Sequence, residues 1–382
     1  MECLVCSTQM EKRNFGTAPV GGQKFDTLEE SLAAPSLPLD LMFCPKCTMT
    51  HYRLVNEADA ILDKLYAEQP ATYSLLSSVN PYLTELASSL SSAHQLNEKS
   101  SVLEIGCNDG ELLSIFKETY GCEVTGVEPG HLFKEAWAER DLNVINSYFD
   151  SDIAAQLKSN SYDLIVIRHV LEHIKAPVAF LANVAKLVSP ETLLVIESPY
   201  LPAIIKKRRF ENMSYSHLNY FTTKAVNTIV KTFQLGITTA NEVETDGGSI
   251  VLSIRRGITT PSELIDSITG GDLDDFMEHQ SAHGEHLHSL LKEFSEEEVV
   301  GYGAGAKGPH LVALFGLDKY ISRVIDDNQA YRGRFIAGTR AQVVSRDEID
   351  FDRIKLVLNL APTHSEAVRS KLKSTIKMTD IV

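Results

Sequence analysis

The sequence predicts an α/β protein in which two units of alternating strands and helices follow a small cysteine-bearing segment. Over residues 100–258, short β-branched runs alternate with helical stretches, which is typical of a parallel sheet covered by helices. A second alternation of this kind begins near residue 298 and continues to the end of the chain. Two Cys-x-x-Cys pairs precede both units. We therefore divide the chain into residues 1–60, 61–258 and 259–382.

The strands of both units follow from their β-branched runs. In the first unit we expect strands over residues 101–106, 123–128, 142–146, 163–169, 192–198, 237–243 and 249–256. In the second unit, the runs EEVVGYG, YISRVIDD, AQVVS and KLVLNLA predict further strands. Helical patterns predict helices over residues 58–68 and 80–94, and a long polar helical connector over about 260–297.

The composition is that of an ordinary folded protein, with 43% hydrophobic and 23% charged residues. Lys and Arg number 36 against 51 Asp and Glu, and the resulting net charge of −15 argues against a protein whose main task is to bind nucleic acid. No apolar run approaches the roughly 18–20 residues that a membrane span needs. The first ten residues lack the basic and apolar regions of a secretion signal. We expect a cytoplasmic protein that binds neither nucleic acid nor membranes, and the sequence does not indicate its oligomeric state.

The two Cys-x-x-Cys pairs predict a zinc site. Thiolates are soft ligands that Zn²⁺ prefers, and a two-residue gap allows both sulfurs of a pair to reach one ion. Four such ligands leave no open position for a substrate, so we expect a structural ion that replaces the core which this short segment cannot build. Two unrelated pairs of free thiols are the alternative. The predicted ligands are Cys3, Cys6, Cys44 and Cys47, whereas Cys107 and Cys122 are expected to be ordinary thiols.

A strand, a glycine turn and the start of a helix follow one another in the sequence SVLEIGCNDGELL. Gly106 and Gly110 permit a tight turn that a ligand can approach closely. Asp109 stands where a phosphate-binding turn has glycine, so the turn suits a cofactor with a cationic centre and no phosphate. Glu128 ends the next strand about 20 residues further on, where a carboxylate accepts hydrogen bonds from ribose hydroxyls. The sequence predicts a nucleoside cofactor, with a dinucleotide bound to a degenerate turn as the alternative.

The order of these features resembles a known family. The pattern E-x-G-x-x-x-G followed by a strand-terminal glutamate is similar to the class I S-adenosylmethionine-dependent methyltransferase fold, and YDLIVIRHVLEHI, TLLVIESPYL and FENMSYSHLNYFTTKAV continue the likeness. With the cysteine pairs and the later GYGAGAKG turn, nearly the whole chain resembles the sugar C-methyltransferases, which methylate a carbon of nucleotide-linked deoxysugars. The resemblance implies S-adenosylmethionine as cofactor, a Rossmann-like methyltransferase core, a zinc-binding N-terminal domain and a C-terminal Rossmann-like substrate domain. It also implies that an enolate formed beside a 4-keto group attacks the methyl group.

The resemblance implies roles for single residues. The implied cofactor-binding residues are Glu104, Gly106, Asn108, Asp109, Glu128, Arg168 and His169. The implied catalytic residues are His173, Tyr215, His217 and Tyr220. His217 is the candidate base because an imidazole titrates near neutral pH, and Tyr215 or Tyr220 would donate a hydrogen bond to a developing oxyanion.

Ser216 departs from the family, which has a catalytic glutamate at this position. Either His217 alone removes the carbon-bound proton, or the acceptor is a hydroxyl of a sugar or a related compound and the product is O-methylated. A cofactor-binding protein that has lost catalysis is a third interpretation.

Three further motifs have more than one interpretation. The turn Gly301–Gly308, with Asp326 after the next strand, fits a dinucleotide turn, but the resemblance implies a substrate or structural role, and its N–H groups would suit the phosphates of a sugar nucleotide. Residues 169–173 match the H-x-x-E-H pattern of some zinc peptidases, although no third ligand is evident. The basic run over residues 206–209 is either a site for a diphosphate or a solvated loop.

Overall fold

The structure is a computed structural model that describes residues 1–20, 22–53, 60–62, 80–158, 161–305 and 307–382. The helix predicted over residues 58–68 lies outside the described residues except at residues 60–62. None of the helices in the described ranges combines the length and the apolar character that crossing a bilayer requires.

The described elements are named in chain order. The strands are β1 (Glu11–Pro19), β2 (Lys24–Phe25), β3 (Ser36–Phe43), β4 (Thr50–Tyr52), β5 (Ser101–Ile105), β6 (Glu123–Val127), β7 (Asn143–Ile145), β8 (Leu164–Arg168), β9 (Leu193–Pro199), β10 (Asn219–Tyr220), β11 (Leu235–Val243), β12 (Ser249–Arg256), β13 (Val299–Tyr302), β14 (Arg323–Ile325), β15 (Phe335–Ile336), β16 (Gln342–Val344), β17 (Leu356–Asn359) and β18 (Lys377–Asp380). The α-helices are α1 (Leu28–Ala33), α2 (Asn80–His94), α3 (Glu111–Tyr120), α4 (Lys134–Glu139), α5 (Ser151–Leu157), α6 (Pro177–Ala185), α7 (Leu201–Lys206), α8 (Thr223–Val230), α9 (Gly270–Leu291), α10 (Lys307–Leu314) and α11 (Ser365–Ser370).

The first alternating unit forms a seven-stranded sheet in the order β11-β12-β9-β8-β5-β6-β7. The strands β5 to β9 pair in parallel, and β12 and β11 complete one edge in antiparallel pairing. Each of the seven strands predicted for this unit forms. The strand β9 is buried along its whole length, as expected for a sheet with helices on both faces. The order reverses between β5 and β8, which places a crevice at their carboxyl ends.

The second alternating unit forms another seven-stranded sheet, in the order β18-β17-β13-β14-β16-β15-β2. Its last strand, β2, comes from the N-terminal segment and pairs antiparallel with β15. Helix α9 connects the two units and is shorter than the predicted connector. Its buried face, which includes Leu273, Phe276 and Leu287, packs into a core shared with β13 and β14.

The N-terminal segment forms a four-stranded sheet in the order β1-β3-β4-β10. The strand β10 belongs to the stretch in which catalytic residues were predicted, so that stretch completes the N-terminal sheet. One hydrophobic core contains side chains of the N-terminal sheet, of α9 and of the C-terminal sheet. The three predicted segments are therefore joined in two ways. The strands β2 and β10 each belong to the sheet of another segment, and side chains of different segments pack in one core.

Candidate active site

A cavity of about 910 Å³ opens at the carboxyl ends of β5 and β8. Residues 104–109 at the end of β5 and residues 168–170 at the end of β8 both line it, so it lies at the place where the sheet order reverses. Open α/β sheets bind their ligands at such a place. The cavity is also lined by residues 244–246, from the connection between β11 and β12, and by His364 from the C-terminal unit.

The glycine turn after β5 brings the backbone to the cavity. Gly106 and Gly110 have φ values of 78° and 80°, in the left-handed region that favours glycine. A Cβ atom on Gly106 would lie 2.2 Å from Cγ2 of Val170, so no side chain fits there without a shift. Asn108 also has a positive φ, of 51°, and its backbone N–H donates to Glu128. Asp109 is buried and lies 3.4 Å from Nη1 of Arg140.

Glu104 is a buried carboxyl group in the wall of the cavity. Its Oε2 atom has no hydrogen-bond partner among the described residues. Burial raises the pKa of Glu104 to about 8, although the nearby Arg168 guanidinium acts in the opposite direction. An unsatisfied buried acceptor costs free energy, so this oxygen is suited to a ligand that donates a hydrogen bond and carries positive charge.

Glu128 ends β6 with both carboxylate oxygens directed at backbone donors. Asn108 N–H donates to Oε2 at 3.0 Å, and Gly130 N–H donates to Oε1 at 2.8 Å. Burial raises the pKa of Glu128, and the two N–H donors oppose that effect. Each carboxylate oxygen has a second lone pair that can accept from a further donor, such as a hydroxyl group. The position at a strand end beside a glycine turn is the one predicted for a ribose-binding carboxylate.

A buried charge network lies behind the cavity at the ends of β8 and β9. Arg168 Nε lies 2.6 Å from Oε2 of Glu197, and His169 Nε2 lies 3.3 Å from Oε1 of the same carboxylate. Glu172 lies on the other side of the His169 ring, 3.2 Å from Nδ1. Burial opposes charge on His169, yet the two carboxylates raise its pKa to about 10, so the ring is charged at neutral pH. Arg168 and His169 both line the cavity, and carboxylates hold both side chains in place.

Glu197 was not identified from the sequence. It lies in the run TLLVIES, where a single acidic residue interrupts an otherwise apolar strand. A charged residue is almost never fully buried unless it is paired, so this pattern is itself a signal of a buried ion pair.

His173 and His217 come together beside the cavity. Their ring centroids are 5.2 Å apart in an edge-to-face arrangement. His173 lines the cavity, and its Nδ1 atom bonds to the carbonyl oxygen of Ser216. His217 is buried behind it, with Nδ1 unpartnered among the described residues. Burial and the neighbouring His173 ring lower the pKa of His217 to about 4, so the ring is neutral at physiological pH.

Together with Glu172, these two rings offer ligand atoms within 4.8 Å of one another. Glu172 already pairs with His169 and accepts from Ser198 at 3.3 Å. The H-x-x-E-H pattern therefore brings a carboxylate to a charged imidazole, an arrangement that neutralises the buried charge.

The two tyrosines proposed from the sequence as oxyanion donors lie in the core rather than in the cavity wall. Tyr215 donates to the backbone oxygen of Pro38, and Tyr220 donates to the backbone oxygen of Asn212 at 2.9 Å. Both rings pack against Tyr52, with centroids 5.2 Å and 5.7 Å away, and neither residue is among those that line the cavity. Their hydroxyl groups satisfy backbone carbonyls where the N-terminal sheet meets this stretch, so we assign them a structural role.

The glycine-rich turn after β13 is closed by its own chain. Ala304 N–H donates to Oδ2 of Asp326 at 2.6 Å, and Asn328 N–H donates to Oδ1 at 2.8 Å.

Lys307, at the start of α10, reaches out of the unit and lies 2.5 Å from Oδ1 of Asp246. Asp246 is a cavity residue that the sequence reasoning missed, although an acidic residue directly before the pair Gly247-Gly248 was a possible signal of a special turn.

The basic run is partly paired. Lys207 lies 2.8 Å from Glu244, and Arg209 lies 2.5 Å from the buried Glu211. These two cations are therefore engaged in ion pairs beside the cavity.

The four N-terminal cysteines converge. Their sulfurs lie within 4.8 Å of one another, with Cys3 and Cys47 at 3.5 Å and Cys6 and Cys44 also at 3.5 Å. In a tetrahedral zinc–thiolate site the sulfurs are about 3.8 Å apart, given Zn–S bonds of about 2.3 Å. The two cysteine pairs also have the same backbone conformation. Ser7 N–H donates to the backbone oxygen of Cys3, Thr48 N–H donates to that of Cys44, and both donor residues have a positive φ. The donor set and its spacing fit one zinc ion.

Comparison with known proteins agrees with this architecture. A family model described as a methyltransferase domain matches residues 79–240, and one described as a C-methyltransferase C-terminal domain matches residues 244–380. The C-methyltransferase NovU of Streptomyces niveus is 23% identical over 371 residues, which cover 91% of this chain and 86% of NovU.

Two solved structures are similar to part of the chain. Magnesium protoporphyrin IX methyltransferase from Synechocystis PCC 6803 with bound SAH is 15% identical, with a TM-score of 0.38 over 53% of this chain and 95% of that one. The 1,6-didemethyltoxoflavin-N1-methyltransferase of Burkholderia thailandensis is 13% identical, with a TM-score of 0.39 over 55% of this chain and 96% of that one.

The methyltransferase domain and the C-methyltransferase C-terminal domain follow one another directly, at residues 79–240 and 244–380. The likeness to NovU extends over both of these ranges together and reaches 91% of the chain. The chain therefore resembles C-methyltransferases along almost its whole length.

Proposed function

We propose that this protein transfers a methyl group from S-adenosylmethionine to a carbon atom of a nucleotide-linked sugar that carries a 4-keto group. The observation that supports this most directly is the single cavity of about 910 Å³, which joins the glycine turn after β5 to the His173 ring and to residues of the C-terminal half. A donor and an acceptor can lie side by side in such a space, as an in-line transfer requires.

The residues around the glycine turn fit the cofactor. Glu104 has an unsatisfied oxygen for the ammonium group at the methionine end, and Glu128 can accept from the ribose hydroxyls. Gly106 adopts the left-handed conformation of this turn, and a Cβ atom there would meet Val170, which also lines the cavity. S-adenosylmethionine, when bound, supplies a methyl group that its positive sulfur has already activated. The protein then has to position the acceptor and to accept one proton.

The pair His173–His217 is suited to accept that proton. A carbonyl oxygen can only accept, so Nδ1 of His173 carries the hydrogen in its bond to Ser216, and Nε2 is the ring nitrogen that would take part in the proton transfer. His217 lies edge-on against this ring and is neutral at physiological pH. The proton that leaves the carbon beside the ketone would move to this pair, and the electron pair left behind forms the enolate that attacks the methyl group.

The C-terminal half is the proposed site of the acceptor's nucleotide. His364 of the C-terminal half lines the cavity, as does Lys175 of the first unit, and both side chains can donate hydrogen bonds to phosphate oxygens. The likeness to the C-methyltransferase NovU along almost the whole chain supports carbon as the methyl acceptor.

The cysteine cluster is proposed to hold a structural zinc ion. Cys44 and Cys47 flank the turn into β4, which pairs with β10, and the hydroxyl of Thr48 in that turn lies 2.6 Å from the hydroxyl of Thr222. Loss of the ion would therefore loosen the sheet that the catalytic stretch completes. We expect about one zinc per chain by elemental analysis, and we expect Cys44→Ser to lose the metal and unfold at a lower temperature. A metal-free wild type that is equally stable would overturn the assignment.

The function is tested with S-adenosylmethionine that carries a ¹³C methyl group, offered with nucleotide sugars that do or do not have a 4-keto group. The methyl chemical shift of the product is then read by NMR. A methyl group on carbon, formed only with keto substrates, is the expected result. A methyl group on oxygen would replace the enolate with O-methylation, an outcome that Ser216 favours. Tight cofactor binding without any product would indicate a non-catalytic member of the fold.

The histidine pair is tested by His173→Gln and His217→Gln. We expect each variant to bind S-adenosylhomocysteine with unchanged affinity and to lose turnover by about 100-fold or more, in line with the contribution of general bases. Full activity in both variants would exclude the pair as the proton acceptor.

A further inference from the structure

The turn between β11 and β12 places one carboxylate in the cavity wall in a strained conformation. Asp246 has φ 54° and ψ 24°, the left-handed region that a residue other than glycine adopts at a cost. Its side chain is 18% exposed, and the residue lines the same cavity as His173. Strain of this kind persists where the surrounding contacts determine the backbone, and it is frequent at functional sites.

Contacts from two other parts of the chain hold this turn. Lys307, from the C-terminal unit, contacts Oδ1 of Asp246 at 2.5 Å and its backbone oxygen at 3.3 Å. Asn212, from the stretch before His217, donates to the same backbone oxygen at 3.2 Å. Arg209 packs on the other side, so that a Cβ atom on Gly247 would lie 2.9 Å from its Nε. The position of Asp246 is therefore fixed from both halves of the molecule.

We propose that Asp246 is the carboxylate that stabilises the proton accepted by the His173–His217 pair, and that Lys307 holds it in place. Asp246 is thus a positioning residue that acts through the histidines, and the inference rests on the proposed function. The position next to His217 cannot supply this charge, because Ser216 is neutral and its hydroxyl lies 2.6 Å from that of Ser214.

Glu172 also acts to raise the pKa of His217, but this carboxylate is already engaged. Glu172 pairs with His169, which is charged at neutral pH. Lys307 contacts only one carboxylate oxygen of Asp246, so Oδ2 lies outside this pair. Asp246 and His217 interact electrostatically, and Asp246 acts to raise the pKa of the His217 ring. Burial acts to raise the pKa of the Asp246 carboxyl, but Lys307 and His217 lower it to about 2. Asp246 is therefore ionised when the ring accepts a proton.

The substitution Asp246→Asn isolates the charge. Asparagine adopts the left-handed conformation as readily as aspartate, and its side-chain oxygen can still accept from Lys307. A matched control exists on the surface, since Asp141 has φ 49°, lies 2.9 Å from Lys117 and is 98% exposed. Asp141→Asn makes the same chemical change in the same backbone conformation, away from the cavity.

The experiment measures two rates on the 4-keto substrate that the wild type methylates. One is methyl transfer, and the other is exchange of the proton beside the ketone with D₂O in the presence of S-adenosylhomocysteine, followed by NMR. We expect Asp246→Asn to slow both rates by about tenfold or more, with unchanged affinity for S-adenosylhomocysteine and unchanged melting temperature. Asp141→Asn should match the wild type in both rates.

Two further variants make the assignment specific. Asp246→Asn combined with Ser216→Glu should regain part of the exchange rate, because a carboxylate returns beside His217. Lys307→Met should also slow exchange, whereas Lys307→Arg should retain it. Wild-type exchange in Asp246→Asn would overturn the inference and leave the proposed function intact. Absence of exchange and methylation in the wild type with every keto sugar would instead refute the proposed function.

Discussion

The two alternating units contain the same local motif, a glycine turn after a strand, but the polar groups at the two turns are bonded differently. Both have a strand that leads into a glycine turn before a helix, with glycines at Gly106 and Gly110 in the first unit and at Gly303 and Gly305 in the second. In the first turn a buried oxygen of Glu104 has no partner among the described residues, and the turn opens on the cavity. In the second turn Ala304 N–H is bonded to Asp326, and Lys307 is bonded to Asp246. A glycine pattern therefore predicts the shape of a turn, whereas the bonding state of its polar groups indicates whether it is prepared for a ligand.

The largest expected difference between the two turns is in their tolerance of a methyl group. Gly106→Ala introduces a Cβ atom 2.2 Å from Val170 at a positive φ, so we expect a loss of about 3 kcal/mol in the free energy of unfolding from strain and overpacking together, with loss of S-adenosylhomocysteine binding. Gly305→Ala places its Cβ atom in open space at the second turn, so we expect a change within about 0.5 kcal/mol. Chemical denaturation and calorimetry measure both quantities. Equal tolerance of the two substitutions would remove the distinction.

The fold of both units could be predicted because periodic burial determines it. The strands of the first sheet and the helix over residues 80–94 have clear patterns, and they form as predicted. The positions of β2 and β10 in the sheets of other segments could not be predicted. Each of these strands has two residues, which is too short for a recognisable pattern of buried and exposed residues. Long-range contacts, rather than local propensity, bring these segments into their sheets.

The candidate site could be predicted only in part, for a related reason. Residues that follow strands, such as Arg168 and His169, reach the cavity because parallel strands end at one edge. Tyr215 and Tyr220 are close to His217 in sequence, but their hydroxyl groups donate to the backbone oxygens of Pro38 and Asn212 in the core. Asp246 lies far from the other site residues in sequence, and its contact with Lys307 depends on how the two units are packed.

An intermediate effect is expected from Glu104→Gln, which sharpens the comparison at the first turn. Burial raises the pKa of Glu104 to about 8 in the folded protein from an ordinary value of 4.5. The folded state therefore holds this proton more tightly than the unfolded state, and the resulting stabilisation is complete below pH 4.5 and is lost as the pH rises towards 8. Glu104→Gln should remove this pH dependence.

Cofactor binding should respond with the opposite sign. The ionised carboxylate is the form that attracts the ammonium group, so the wild-type affinity for S-adenosylhomocysteine should increase as the pH rises through about 8. We expect Glu104→Gln to bind about tenfold more weakly at pH 8.5, an effect of about 1.4 kcal/mol, and to show no such rise. Calorimetry at pH 6.5 and pH 8.5 measures both proteins. A variant that keeps the wild-type pH profile would show that another group controls binding.

The smallest expected effect concerns the second turn, where a dinucleotide was the alternative ligand. A dinucleotide needs the backbone N–H groups of the turn for its pyrophosphate and the carboxylate after the next strand for its ribose. Here the N–H of Ala304 and the carboxylate of Asp326 are bonded to each other at 2.6 Å, and Asn328 N–H takes the second oxygen. A ligand would have to break these bonds before it gained its own. We therefore expect NADH fluorescence to stay unchanged on titration with the protein, while S-adenosylhomocysteine binds under the same conditions. Saturable NADH binding would mean that the second turn opens, and the two turns would then differ only in which ligand they take.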